Sequence, residues 1–105
     1  MPYFPVFIDL KGKDVVVVGG ELVAERKVKK LLPFEPNIKV IAPKVTKELK
    51  ELRKEGKMEL VLRKVKLYDI KRAFLVICAV DDIRLQKRLY DYCKKGAYST
   101  MLWTV

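Results

Sequence analysis

Histidine is absent from this 105-residue sequence, cysteine occurs twice, and acids are outnumbered by bases, 13 to 23. Each shortage removes a class of protein. Without histidine, and with Cys78 and Cys93 well separated, a structural zinc site has no adequate ligand set, and no metal is expected. Cys78 in an apolar run and Cys93 in a helical pattern read as buried thiols of a reducing compartment rather than a disulfide framework. No apolar run approaches the roughly 18 residues of a membrane span. The opening MPYFPVFIDLKGK lacks the charged, apolar and small-residue order of a signal peptide, so the expectation is a cytoplasmic protein with no membrane partner. The shortage of acids leaves a net charge of +10, which permits attraction to nucleic acid or to an anionic cofactor. The basic residues, however, alternate with acids and leucines, as in KVTKELKELRKEGK, and are not interleaved with aromatics. They read as a solvated face, and nucleic acid is not the expected partner.

Half of the residues are hydrophobic, enough for a core at this length, so residues 1–105 are read as a single domain. After the short apolar run Val6 to Ile8, the segment Leu10 to Lys13 supplies a turn and Asp14 to Val18 is a continuous β-branched run, suited to a strand covered on both faces. From Glu21 to Leu32 the residues Ala24, Val28, Leu31 and Leu32 recur at helical spacing until Pro33 and Pro36. Ile38 to Ala42 reads as a second strand. Val45, Leu49 and Leu52 mark a second helix that Gly56 can end, and Met58 to Val65 reads as a third strand. Lys66 to Arg72 is a connector with one helical turn, followed by the strand Phe74 to Val80. Leu85, Leu89, Tyr92 and Cys93 share a helix face stopped by Gly96, and Tyr98 to Trp103 is a last strand. Strands alternating with helices predict a doubly wound, mainly parallel five-stranded α/β sheet, Rossmann-like, with helices on both faces.

In such sheets ligands bind beyond the carboxyl ends of the strands, where strand order reverses. Gly19, Gly20, Ala42, Pro43, Val80, Asp81 and Asp82 fall at such ends. The first of them opens a dinucleotide-type turn, G-x-G-x-x-G/A, with Gly19 as its first glycine, Ala24 as its last small residue and Glu21 in the middle. A tight turn accounts for the glycines structurally; approach of a phosphate to helix amides accounts for them functionally.

The opening YFPVFIDLKGKDVVVVGG, the segment VAERKVKKLL, the strand end VIAP and the run LVICAVDD, in this order and spacing, resemble the precorrin-2 dehydrogenase domain of siroheme synthases over about Tyr3 to Gly96. The resemblance implies an NAD-binding Rossmann-like domain that, in the family, oxidises the tetrapyrrole precorrin-2 to sirohydrochlorin on the route to siroheme. Some members also insert iron, and members are homodimers through a further C-terminal region. It implies a cofactor site at Gly19, Gly20, Glu21, Leu22, Val23, Ala42, Pro43, Val80 and Asp81. The family's loop reads V-G-G-G-x-V-A, so Glu21 here replaces a glycine, and its A-T-D-D reads Ala79, Val80, Asp81, Asp82. The family's last strand ends in N-V-V-D, whose aspartate is its catalytic carboxylate; that place falls here on Trp103 or Thr104, neither of which titrates usefully, and no catalytic residue is assigned.

Glu21 reads either as a helix-capping acid or as an obstacle to the pyrophosphate, since an oxygen about 4 Å from it would be repelled by about 1 kcal/mol in water and about 4 kcal/mol at an effective dielectric of 20. Asp81 and Asp82 read first as N-caps of the helix that follows and second as cofactor contacts. Lys44 reads first as a solvated side chain and second as a partner for a 2′-phosphate, Arg26 and Lys27 as the solvated side of the first helix, and Tyr98 and Trp103 as core or interface aromatics. The expectation is thus a precorrin-2 dehydrogenase-like NAD domain, truncated or degenerate, with a homodimer or a partner chain covering its last strand. The alternative is a non-catalytic binding or assembly module on the same fold.

Overall fold

The computed structural model describes residues 7–95 and 101–104. Val6, the start of the short apolar run, Gly96, read as a helix stop, and Tyr98, read as the start of the last strand, lie outside the described residues.

Five strands, β1 (Asp14–Val18), β2 (Asn37–Ile41), β3 (Glu59–Val61), β4 (Leu75–Cys78) and β5 (Met101–Thr104), make one sheet in the order β3-β2-β1-β4-β5, with every neighbouring pair parallel. Among the described residues three α-helices connect them: α1 (Leu22–Leu31), α2 (Lys47–Lys54) and α3 (Ile83–Lys95). Short 3-10 turns occupy Leu32–Phe34 and Leu67–Ile70. The chain runs outward from β1 through β2 to β3, then returns past β1 to lay down β4 and β5. The reversal of strand order therefore falls between β1 and β4.

The alternation of side chains along the strands divides the core into two layers. Val15, Val17, Ile38, Val40, Leu75 and Ile77 pack with Ala24, Val28 and Leu31 of α1 and Leu49 and Leu52 of α2. On the other face Val16, Val18, Ile41, Val76 and Cys78 pack with Ile70 and with Leu89 of α3. Because it feeds both layers, β1 has no polar face: Val15 to Val18 are each buried. Removing a valine side chain from water contributes about 1.5–3 kcal/mol, which makes β1 the anchor of everything attached to its carboxyl end.

Local chemistry sets the boundaries. Thr46 caps α2, its hydroxyl accepting from the Leu49 amide at 3.2 Å. The same helix ends in a Schellman arrangement, with Gly56 at φ +75° and the Gly56 and Lys57 amides donating to the Arg53 and Leu52 carbonyls. The third strand is shorter than the sequence reading, which carries it to Val65. Pairing with β2 stops at Val61, and Arg63 turns back to grip Asp69 through two 2.7 Å hydrogen bonds, which bends the chain into the connector.

Candidate functional site

The turn between β1 and α1 stands at the switch point and is built by its neighbours. Gly19 has φ +125°, a conformation that a side-chain-bearing residue rarely adopts, and its amide donates to the Ile41 carbonyl at 3.0 Å. A Cβ there would lie 3.0 Å from the Ala79 carbonyl oxygen and 3.2 Å from a Val80 methyl. Gly20 is tighter still. A Cβ on it would overlap the Lys44 carbonyl oxygen and lie 2.6 Å from Val45 Cγ1, while the Gly20 carbonyl accepts from the Thr46 amide at 2.9 Å. The two glycines thus let β1, the β2–α2 loop and the end of β4 close on one another, a sufficient structural reason for both.

Glu21 holds the N-cap position of α1 with φ −96° and ψ −162°, extended backbone that needs no glycine. The sequence reading of a capping acid is half right. The residue occupies the cap position, but its side chain is exposed and makes no capping hydrogen bond. Among the described residues no side chain caps the first amides of α1, which carry the positive end of the helix dipole, an arrangement that receives an anion. Ala24, fully buried, lets α1 lie close on the sheet, as the last small residue of a dinucleotide turn does. Leu22 and Val23, 58% and 42% exposed, form an apolar lip beside those amides. A dinucleotide fits the turn in its first and last small positions, and at the middle one only with the Glu21 carboxylate held toward solvent.

The other strand ends converge on the same edge. Ala42 is buried and Pro43 and Lys44 are exposed beyond β2. Beyond β4 the two aspartates divide. Both are exposed, but Asp82 caps α3, its Oδ1 accepting from the Leu85 amide at 3.1 Å, and Asp81 does not. The Val80 carbonyl is occupied internally, accepting from the Asp82 amide at 2.9 Å and from Gln86 Nε2 at 3.1 Å. At the end of β5, Trp103 pairs in register with Ile77, and Lys27 Nζ lies 3.9 Å over its ring. Lys27 is thus not simply solvated. No sequence signal announces this contact, because it joins residues from the first helix and the last strand.

Titration is perturbed elsewhere. The Arg63 hydrogen bonds hold the Asp69 carboxyl below the usual carboxylate range, against a smaller opposing effect of burial, and the same contact raises Arg63. Burial pushes both cysteine thiols up, so neither is an activated nucleophile. A cleft of about 670 Å³, lined by Asp14, Asn37, Lys39, Glu59 and Arg72 among others, opens at the amino ends of β1 to β3 and is remote from the glycine turn. Among the described residues no three His, Cys, Asp or Glu side chains come together as a metal site, and no helix is long and apolar enough to cross a membrane.

A parallel sheet in this order, with a glycine turn feeding an uncapped helix at the switch point, defines a Rossmann-like α/β domain. The chain belongs to the family described as "Putative NAD(P)-binding", whose model matches residues 6–101. It is 37% identical over 91 residues to the siroheme synthase of Actinobacillus pleuropneumoniae serotype 3 (strain JL03), covering 87% of this chain and 19% of that protein. It is 39% identical over 90 residues to the siroheme synthase of Nitrosococcus oceani, covering 86% of this chain and 19% of the relative. Among solved structures, SirC, a precorrin-2 dehydrogenase, superposes with a TM-score of 0.79 at 29% identity, over 95% of this chain and 48% of that one. The chain thus spans about a fifth of the length of the siroheme synthases it matches.

Proposed function

We propose that this chain is the dinucleotide-holding domain of a precorrin-2 dehydrogenase-like protein of siroheme biosynthesis. The observation that carries the reading is the uncapped amino end of α1, set against the Gly19–Gly20 turn at the switch point, in a chain of the NAD(P)-binding family. A bound nicotinamide supplies the hydride acceptor. The chain's own residues would do the rest: the first amides of α1 would hold the pyrophosphate, Leu22 and Val23 would give an apolar wall, and Ala42, Pro43, Val80 and Asp81, at the neighbouring strand ends, would border the bound dinucleotide.

Loss of a proton must accompany hydride loss from the tetrapyrrole, and here the chain is poorly equipped. The end of β5 carries Trp103 and Thr104. Asp82, itself exposed, is engaged in capping α3, which leaves Asp81 as the candidate carboxylate beyond β4. A positioned base contributes about a hundredfold to ten-thousandfold to such a step, so the isolated chain should turn over precorrin-2 poorly or not at all with NAD in excess. The missing carboxylate also favours a second reading, a binding or assembly module without catalysis. The two readings divide on cofactor binding: dinucleotide binding without turnover supports the cofactor-holding role, and no dinucleotide binding supports the assembly module, whereas sirohydrochlorin formation at the rate of a competent enzyme, abolished by Asp81→Asn, would overturn the expectation of poor turnover and establish a substitute base. On the same reading the protein works in the cytoplasm, as a homodimer that covers the edge strand β5.

A further inference from the structure

The sheet ends in β3 on one side and β5 on the other. The Val61 carbonyl accepts from the Ala42 amide at 3.1 Å, so Val61 pairs inward with β2, and by the alternation of a strand the amide and carbonyl of Leu60 face outward. Among the described residues no strand pairs with that outer side. The apolar alternation of Met58, Leu60 and Leu62 runs past the end of the pairing with β2: Met58 is buried, Leu60 half-buried and Leu62 58% exposed. Beside the two leucines stand Lys50, Arg53 and Lys54, which share one exposed face of α2. These five residues line a groove of about 230 Å³, below the roughly 300–1,000 Å³ of a small-molecule pocket and suited to single side chains of a docked segment. The neighbouring acids do not neutralise the row. Glu48 lies 3.5 Å from Lys29, Glu55 3.1 Å from Lys57 and Glu59 4.0 Å from Lys39, and Glu51 reaches Lys54 alone, at 3.9 Å. Among the described residues no carboxylate lies within ion-pair distance of Lys50 or Arg53.

We infer that the groove between α2 and the open edge of β3 docks an acidic, extended segment of a partner protein, which adds to the sheet as a further strand and sets an apolar side chain against Leu60 and Leu62. Main-chain bonds to the outward amide and carbonyl of Leu60 supply attachment, and the alternate side chains supply selection. Charge names the occupant. A second copy of this chain at the same edge would set the row Lys50, Arg53 and Lys54 against its own image, whereas an acidic strand meets it with opposite sign. Edge strands closed to association carry their charges within the strand; here Leu60 and Leu62 occupy the centre and the charges, all of one sign, stand on the helix alongside, which turns away a basic strand and admits an acidic one. The site is at the far end of the sheet from β5, so it is independent of the cofactor reading and of the dimer.

The test is an NMR titration of the intact chain with a capped peptide of alternating glutamate and valine, about six residues long as an ordinary strand is. Two peptides serve as controls, one with lysine in place of glutamate and one with alternate backbone amides methylated, which keeps the charge and blocks strand pairing. The acidic peptide should bind saturably, shift the resonances of Lys50, Arg53, Lys54, Leu60 and Leu62, slow hydrogen exchange at the Leu60 amide, and weaken as salt rises. The lysine and methylated peptides should fail. Arg53→Glu should weaken binding by about tenfold or more, while Lys94→Glu, an equal loss of charge at an exposed position on α3, should leave it within about twofold. Absence of binding, equal binding of the methylated peptide, shifts spread evenly over the basic surface, or binding indifferent to Arg53→Glu overturns the inference. Shifts at Leu60 and Leu62 that grow with protein concentration in the absence of peptide would assign the edge to a second copy and overturn it as well.

Discussion

Gly20→Ala is the substitution whose consequence the structure sets most closely. The added Cβ overlaps the Lys44 carbonyl oxygen and stands 2.6 Å from Val45 Cγ1 and 3.0 Å from Ala42 Cβ. The first of these partners is backbone, so a side-chain rotation cannot relieve the contact; the β2–α2 loop has to retreat from the turn. Retreat stretches the hydrogen bond from the Thr46 amide to the Gly20 carbonyl, and Thr46 is also the cap of α2. Overpacking of this kind costs about 1–3 kcal/mol and a lost hydrogen bond about 1 kcal/mol more. For a domain of about 100 residues each kcal/mol lowers the melting temperature by roughly 4–8 °C, so a drop on the order of 10 °C or more is expected. Urea unfolding followed by circular dichroism and by the fluorescence of the lone tryptophan should report the same loss at an unchanged m-value. Gly12→Ala is the contrasting variant: it meets nothing within 4 Å and carries only the strain of a positive φ, at +71°, which Gly20 does not have. If Gly20→Ala unfolds within about 0.5 kcal/mol of the wild type, the claim that the glycines are set by packing against the β2–α2 loop is wrong.

Three further outcomes follow from single contacts. Asp82→Ala should destabilise the chain by about 1 kcal/mol through loss of the α3 cap while Asp81→Ala stays near neutral; equal effects would contradict the division of roles. Because the Asp69 carboxyl is depressed by Arg63, its contribution is present above the ordinary carboxylate range and is lost as the pH falls through the folded value. The acid limb of the stability curve should therefore flatten in Asp69→Asn, and an unchanged limb would refute the assignment. Met101 and Leu102 are half-buried and Trp103 exposed on edge strand β5, so a homodimer should appear by light scattering at high micromolar concentration, and a strictly monomeric mass there would exclude it.

The fold was legible where one residue type ran unbroken. The valines of β1 announce a strand buried on both faces, and the spacing of Ala24, Val28 and Leu31 announces the helix that follows. The third strand was overdrawn because MELVLRKV keeps its apolar alternation after β2 has ended, and the Arg63–Asp69 grip that turns the chain there follows no local period. Gly19 and Gly20 could be placed in a turn from sequence, but not the reason for Gly20, which lies with Lys44 and Val45 more than twenty residues away. The pair Asp81 and Asp82 offered two candidate caps, and only the geometry shows which one bonds the Leu85 amide. A residue's partners across the sheet are fixed by topology, which no window of sequence contains.

The claim on which the functional reading depends is that the amino end of α1 receives a pyrophosphate, with the Glu21 carboxylate as its local obstacle. At about 4 Å that carboxylate would cost between roughly fivefold in affinity in water and nearly a thousandfold at an effective dielectric of 20, and its exposure places it toward the lower end. Calorimetric titration of NAD+ at low salt into the wild type and Glu21→Gly tests this directly. The account predicts wild-type binding no tighter than high micromolar and binding about tenfold tighter in Glu21→Gly. Equal affinity in the two proteins would remove Glu21 as the obstacle, and no binding by either would contradict the site.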